Sequence, residues 1–131
     1  MRIPEHYAAD VLFFFDGHPE ELALYEELFR AVEEAFPEGS VRVQKTQISF
    51  YGRHLFAVAS LPVRRRKDWP KTCLMVTVGL SYRLDSPRVA AASEPYPSRW
   101  THHILVTEER QIDGELMGWL QEAWDFAESK R

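Results

Sequence analysis

The sequence predicts an α+β fold: a single antiparallel β-sheet of about four to five strands with an N-terminal and a C-terminal helix packed on one face. Near both ends of the chain, apolar residues recur every three or four positions, which is typical of amphipathic helices. Between them lie short apolar or alternating runs bounded by turn residues, which is typical of strands. With both helices on one side, the other face of the sheet is expected to be open to water or ligand.

Length and composition indicate one globular domain over residues 1–131, because the chain is too short for two domains of ordinary size and 45% of its residues are hydrophobic. A single cysteine excludes an internal disulfide and a Cys-rich zinc site. We predict no metal and no cofactor. The N-terminus has no signal-peptide pattern, and its longest apolar run has five residues against the roughly twenty that cross a bilayer. We therefore expect a cytoplasmic protein with no membrane partner.

The first helix is predicted at about residues 19–36. Pro19 suits the first helical position, and Glu20 and Glu21 lie where the positive end of the helix dipole favours them. Pro37 and Gly39 end the helix. Its apolar stripe consists of Leu22, Tyr25, Leu28, Phe29, Val32 and Phe36.

The middle of the chain is predicted to form the strands. Residues 41–44 alternate between apolar and polar, but the phase changes near Lys45-Thr46, which requires a bulge or a turn. Residues 51–54 are typical of a hairpin turn, with Gly52 available for a positive φ. Further strands are predicted at residues 55–61, 73–80 and 100–107, and residues 89–93 are read as a weak edge strand or a short helix.

The last element is a helix predicted at about residues 113–128. Asp113 and Glu115 lie at its start, and Lys130 and Arg131 follow its end, as the helix dipole favours. Its apolar stripe is formed by Ile112, Leu116, Trp119, Leu120, Ala123 and Ala127.

Charge is distributed very unevenly along the chain. Residues 1–40 carry two basic and ten acidic residues, residues 41–103 carry eleven basic and three acidic, and residues 104–131 carry three basic and seven acidic. The net charges are −8, +8 and −4, although the whole chain carries only −4. The excess of basic residues in the middle of the chain indicates an anionic partner. The alternative is that acidic helices pack near a basic sheet and their fields cancel.

Several sequence strings resemble one known family. They are Phe15-Asp16-Gly17, residues 45–50, residues 83–88, residues 99–103 and the C-terminal pairs Ile112-Asp113, Trp119-Leu120 and Phe126-Ala127. In this order, from about Phe13 to Ala127, they resemble the bacterial family of domain of unknown function 5655. The resemblance implies a small cytoplasmic bacterial domain, sometimes fused to other domains, and it implies no activity.

Two groups of basic residues are candidates for anion binding. Arg83 and Arg88 flank an Asp-Ser-Pro turn, and Asp85 could either hold an arginine in a rigid loop or leave it directed at a carboxylate or phosphate. Residues 64–67 form the densest basic run, which is either a solvated loop or an anion contact. Trp69, Tyr96 and Trp100 lie near arginines, as single-stranded nucleic acid binding requires, but no standard RNA-binding fingerprint is present.

Polar residues on the predicted strands are the other candidates. His102 and His103 are neighbours, so they point to opposite faces of the sheet, one towards the core and the other towards the open side. Lys45, Gln47 and Ser49 share one strand face, which lines a pocket or faces solvent. No nucleophile motif, P-loop or dinucleotide fingerprint occurs, so no catalytic residue is assigned.

Three functions fit these observations. The first is a binding module for an anionic ligand, such as nucleic acid, a phosphorylated metabolite or an acidic peptide, on a basic sheet face. The second is an enzyme that uses His102 or His103 with arginines on an anionic substrate, and the third is an interaction domain that forms a homodimer through an exposed strand. The predicted ligand-binding residues are Lys45, Gln47, Arg64, Arg83, Arg88, Arg99, His102 and His103.

Overall fold

The structure is a computed structural model that describes residues 1–130. Within these residues it has three α-helices, one short 3-10 helix and one six-stranded sheet. The helices are α1 (Tyr7–Phe14), α2 (Pro19–Ala35) and α3 (Gly114–Glu128), with the 3-10 helix at Glu109–Gln111. The strands are β1 (Ser40–Val43), β2 (Ile48–Tyr51), β3 (Leu55–Ser60), β4 (Leu74–Leu80), β5 (Val89–Tyr96) and β6 (Arg99–Val106).

The sheet has the order β1-β2-β3-β4-β6-β5, and every neighbouring pair is antiparallel. The predicted fold class is confirmed, but the expected four to five strands are six. The phase change near Lys45 is a turn between two strands, in which the Gln44 N–H donates to the Gln47 carbonyl at 2.9 Å. Residues 89–93 belong to an edge strand, not a helix.

The two predicted helices are confirmed as α2 and α3, and α1 is an additional helix that the sequence did not reveal. Of the eight residues of α1, Val11 alone is buried, whereas Leu12 and Phe13 are 62% and 84% exposed. Because apolar residues lie on all sides of this helix, its sequence has no stripe from which to predict it.

The hydrophobic core lies between the helices and one face of the sheet. Residues of all three helices join Val76 and Val78 of β4 and Ile104 and Val106 of β6 in one cluster. Side chains alternate along a strand, so Thr77 and His103 point to the other face, and none of the residues on that face joins the core described for residues 1–130. The core therefore fixes which side of each strand is available for function.

Gly52 is needed at the β2–β3 turn for a different reason from the predicted one. Its backbone is not in the left-handed region; the described glycine that is there is Gly17, with a φ of 78°. A Cβ atom at position 52 would come within 2.8 Å of the Trp124 ring, and the Arg53 N–H donates to Glu128 at 2.7 Å. Glycine thus lets the turn pack against the end of α3.

Candidate functional site

The two edge strands of the sheet, β1 and β5, differ in whether another segment of the chain pairs with their outer side. The β1 edge has four residues, and Arg2 bridges it: the Arg2 N–H donates to the Gly39 carbonyl at 2.9 Å, and the Val41 N–H donates to the Arg2 carbonyl at 3.2 Å. The β5 edge has eight residues, and in residues 1–130 no strand pairs with it on its outer side. An uncovered edge offers backbone donors and acceptors to another chain.

A polar cleft of 590 Å³ runs beside this free edge. One wall is the first half of β5, where three successive alanines leave the backbone accessible because their side chains are small. The other wall is the loop between β4 and β5, with one residue from the loop between β3 and β4. The lining residues are Arg66, Arg83, Leu84, Asp85, Ser86, Val89, Ala90, Ala91 and Ala92.

Two guanidinium groups line the cleft without a carboxylate partner. The Cζ atom of Arg66 lies 5.8 Å from the Trp69 ring centroid, and that of Arg83 lies 5.7 Å from the Trp100 centroid. Within residues 1–130 neither side chain forms an ion pair. With Asp85 as the one lining carboxylate, the cleft carries a net positive charge. Cations that rest on aromatic rings and lack a counter-ion are suited to bind an anion.

The loop that forms the cleft is anchored at several points. Leu84 is buried in the core, and its N–H donates to Nε2 of His102 at 2.9 Å. The Val89 N–H donates to the Ser86 carbonyl at 3.1 Å, which closes the turn into β5. On the other side of Arg83, the Tyr82 hydroxyl donates to Glu122 at 2.6 Å, so the loop is anchored both before and after that arginine.

His102 lies on the core face and is fully buried. Its Nε2 accepts the Leu84 N–H, and its Nδ1 lies 3.4 Å from the Val78 carbonyl, to which it donates in the neutral form. Burial lowers the pKa of His102, and the charge of Arg83 lowers it further. Both ring nitrogens are engaged within the protein, so His102 is part of the core.

His103 lies on the opposite face and is half-buried. Its Nδ1 is 2.8 Å from Oγ1 of Thr77, and it pairs across the sheet with Ala91 of the cleft wall. Burial lowers the pKa of His103, and the nearby Arg66 lowers it further. This histidine is therefore the one close to the cleft.

Arg88 is a predicted site residue that the structure places in an ion-pair network. Its Nη1 lies 2.9 Å from both an Asp113 oxygen and a Glu115 oxygen, and its Nη2 donates to the Gln111 carbonyl at 2.6 Å. The Leu116 N–H, and then Arg88, lower the pKa of the Asp113 carboxyl. Arg88 thus ties the start of β5 to the start of α3.

The other predicted residues lie apart from the cleft. Lys45 is in the β1–β2 turn beside α1, and Gln47 donates to Ser49 at 2.9 Å, while Ser49 itself is buried. Arg64 is exposed in the loop between β3 and β4 and does not line the cleft. Arg99 starts β6 at the end of the sheet opposite to Lys45. The eight predicted residues therefore do not form one surface, and Arg83 alone among them lines the cleft.

Sequence reasoning missed Arg66 and the alanines of β5 as site residues. The basic run at residues 64–67 pointed towards Arg66, but nothing in the run distinguishes Arg66 from Arg64. The sequence interpretation gave Trp69 and Trp100 to a nucleic acid ligand and did not predict that each ring lies against an arginine of the same chain.

Residues 1–130 contain neither a candidate metal site nor a candidate membrane-spanning helix. No three His, Cys, Asp or Glu side chains come together in a group that could hold a metal ion. None of the described helices has the length and apolarity needed to cross a membrane.

Comparison with known proteins gives a family. No curated protein and no solved structure is significantly similar to this chain. The family model described as Domain of unknown function (DUF5655) matches residues 13–127, from the end of α1 to the last turn of α3. Because this match spans most of the chain and includes the whole sheet, the protein belongs to the DUF5655 family.

Proposed function

We propose that the protein is a binding module for an extended acidic peptide segment, which pairs with the β5 edge while Arg66 and Arg83 bind its carboxylates. The observation that carries the proposal is the combination of a free strand edge and two arginines without counter-ions in one cleft. Addition of a strand is a common mode of peptide recognition, in which backbone hydrogen bonds give affinity and side chains give specificity.

The shape of the cleft supports an extended peptide. Ala90, Ala91 and Ala92 present small side chains, so a second backbone can approach β5 to the spacing of paired strands, about 4.8 Å. Pro95 lies near the end of β5, where it cannot donate a hydrogen bond and so limits the pairing to the first half of the strand. A short segment of the partner therefore fits this edge.

The distribution of basic residues favours a peptide over nucleic acid. A strand of nucleic acid needs a continuous basic groove that follows its backbone. Here Arg88 is neutralised by Asp113 and Glu115, and Lys45 and Arg99 lie at opposite ends of the sheet. Two loop arginines beside one strand edge match two carboxylates of one segment instead.

An enzyme remains the second candidate, and it depends on His103. With both nitrogens of His102 engaged in the core, an acid–base role falls to the half-buried His103, next to Thr77 and Arg66. Its lowered pKa leaves the imidazole neutral at pH 7, as a general base requires. Under the binding proposal, His103→Gln changes peptide affinity by less than about threefold, because His103 does not line the cleft.

The experiment is fluorescence anisotropy with a labelled peptide of alternating glutamate and valine. Arg66→Glu and Arg83→Glu are each expected to weaken binding by about tenfold, since each replaces an attraction by a repulsion. Arg64→Glu is the matched control, because it makes the same charge change outside the cleft, in the loop that also holds Arg66. Binding should also weaken as salt is raised.

A second peptide tests the backbone pairing. Methylation of alternate amide nitrogens on one edge of the peptide removes donors while keeping every charge, and it should abolish binding by strand addition. Unchanged affinity of the methylated peptide would contradict strand addition, and tighter binding of a single-stranded oligonucleotide would contradict the choice of ligand. A stable dimer in light scattering that Ala91→Pro dissociates would show that a second copy occupies the edge instead.

A further inference from the structure

A second groove lies on the other side of the molecule, between α1 and α2. It has a volume of 410 Å³, and four partly or largely exposed side chains form its apolar lining: Tyr7, Leu12, Leu22 and Phe29. Leu12 is 62% exposed and faces this groove without covering it. A large exposed leucine beside further apolar side chains is typical of an interaction site.

The floor of the groove is rigid. The hydroxyl groups of Tyr7 and Tyr25 are 2.6 Å apart, and the Tyr7 and Phe29 ring centroids are 5.1 Å apart. Tyr25 is 1% exposed and belongs to the core. Burial raises the pKa of Tyr7 to about 12, so its hydroxyl stays protonated and hydrogen-bonded at neutral pH. A partner therefore meets a preformed surface.

The rim of the groove is acidic. Glu26 and Glu33 line it, and both are exposed on α2, about two turns apart. Their negative charges add to the raised pKa of Tyr7, which places them near the groove floor. The one basic lining residue, Arg30, is paired with Glu27. Residues 1–40 as a whole carry a net charge of −8.

We infer that this groove binds a cationic amphipathic helix of another protein, with apolar side chains inserted beside Leu12 and Phe29 and basic side chains paired with Glu26 and Glu33. Helices bind in this way by placing an apolar face into a hydrophobic groove. The acidic rim selects a basic partner because opposite charges attract and an acidic helix would be repelled. The inference is independent of the β5 cleft, whose charge has the opposite sign.

The test is titration of the protein into a labelled helical peptide of leucine and lysine, followed by anisotropy. Leu12→Gln and Glu33→Lys are each expected to weaken binding by at least about fivefold. Both residues are exposed, so the fold should persist. Glu34→Lys is the matched control for charge because it lies next to Glu33 outside the groove, and Val63→Gln is the control for exposed apolar area, at 88% exposure in a distant loop.

The outcomes separate this inference from general electrostatic attraction. Equal losses for Glu33→Lys and Glu34→Lys, or equal binding of a lysine and glutamine peptide without leucine, would contradict it. A dimer that Leu12→Gln dissociates would show that a second copy, not a basic helix, fills the groove. Protection of α1 and α2 amides from hydrogen exchange by the leucine–lysine peptide, with no protection of β5, would support it.

Discussion

His102 and His103 are neighbours on β6, and they show how differently the two faces of the sheet are used. His102 lies under the helices, fully buried, with one ring nitrogen bonded to the Leu84 N–H and the other near the Val78 carbonyl. His103 lies on the other face, half-buried, with Thr77 as its partner and Arg66 nearby. One position along the strand therefore separates a core residue from a residue near the polar cleft.

The two arginines of the β4–β5 loop show the same contrast. Arg88 is engaged by two carboxylates and a carbonyl at the start of α3, whereas Arg83 forms no ion pair within residues 1–130 and lies against the Trp100 ring. A side chain whose bonds are all made within the protein contributes to stability, while one left without a counter-ion remains available for a partner. Contacts, rather than residue type, distinguish the arginine that is held within the protein from the arginine that has no counter-ion.

The largest expected effect is a fall in the free energy of unfolding when the imidazole of His102 is removed from the core face. His102→Ala leaves a cavity and deprives the Leu84 N–H of its acceptor, so the free energy of unfolding should fall by about 2–4 kcal/mol. His103→Ala should cost less than about 1 kcal/mol because its side chain is half-exposed. Urea denaturation measures both, and equal losses would contradict the assignment of the two faces.

The next effect distinguishes the two arginines. Arg88→Met breaks the network with Asp113 and Glu115 and should lower the free energy of unfolding by about 1–2 kcal/mol. Arg83→Met should change stability by no more than about 0.5 kcal/mol and yet weaken binding of the glutamate–valine peptide. If Arg88→Met weakened that binding as much as Arg83→Met does, the distinction would be wrong.

A smaller effect is expected from pH. The pKa values of His102 and His103 are lowered below the ordinary 6.5, chiefly by burial, with Arg83 and Arg66 adding to the effect. As the pH falls through 6.5, the unfolded chain binds these protons before the folded protein does. The contribution of the two neutral histidines to the free energy of unfolding is therefore intact above pH 6.5 and is lost as the pH falls below it. His103→Gln should reduce this loss when urea midpoints at pH 7.5 and 5.5 are compared.

The smallest predicted effect concerns the one carboxylate of the cleft. Asp85→Asn removes a negative charge beside Arg83 and should tighten binding of the glutamate–valine peptide by about twofold to threefold. Anisotropy at low salt measures this gain. Weaker binding by Asp85→Asn would show that the carboxylate positions the arginine rather than opposing the ligand.

The elements with periodic apolar residues could be predicted from the sequence. The stripes of α2 and α3 place both helices, and the apolar run at residues 73–80 places the strand that is β4 in the structure. Helix α1 could not be predicted because its apolar residues have no preferred side. Strand β5 was ambiguous because alanine favours neither a strand pattern nor an exposed face, and its pairing with β6 decides its structure.

Less of the cleft than of the fold could be predicted from the sequence. Arg66 and Arg83 belong to different loops, and only the antiparallel arrangement of β4, β5 and β6 brings them to one edge. Nor does the sequence show that Arg88 meets Asp113 and Glu115, which lie 25 and 27 residues away. The excess of basic residues in 41–103 predicted one basic sheet face, but the fold disperses these residues and decides which of their charges are neutralised.

The central claim is that an acidic segment pairs with β5, and hydrogen exchange of the β5 amides tests it most directly. On addition of the glutamate–valine peptide, amides between Ala90 and Ser93 that point outward should exchange more slowly, and the β1 edge at Ser40–Val43 should not change. Slower exchange at the β1 edge, or unchanged exchange at β5 while the peptide is bound, would contradict the account.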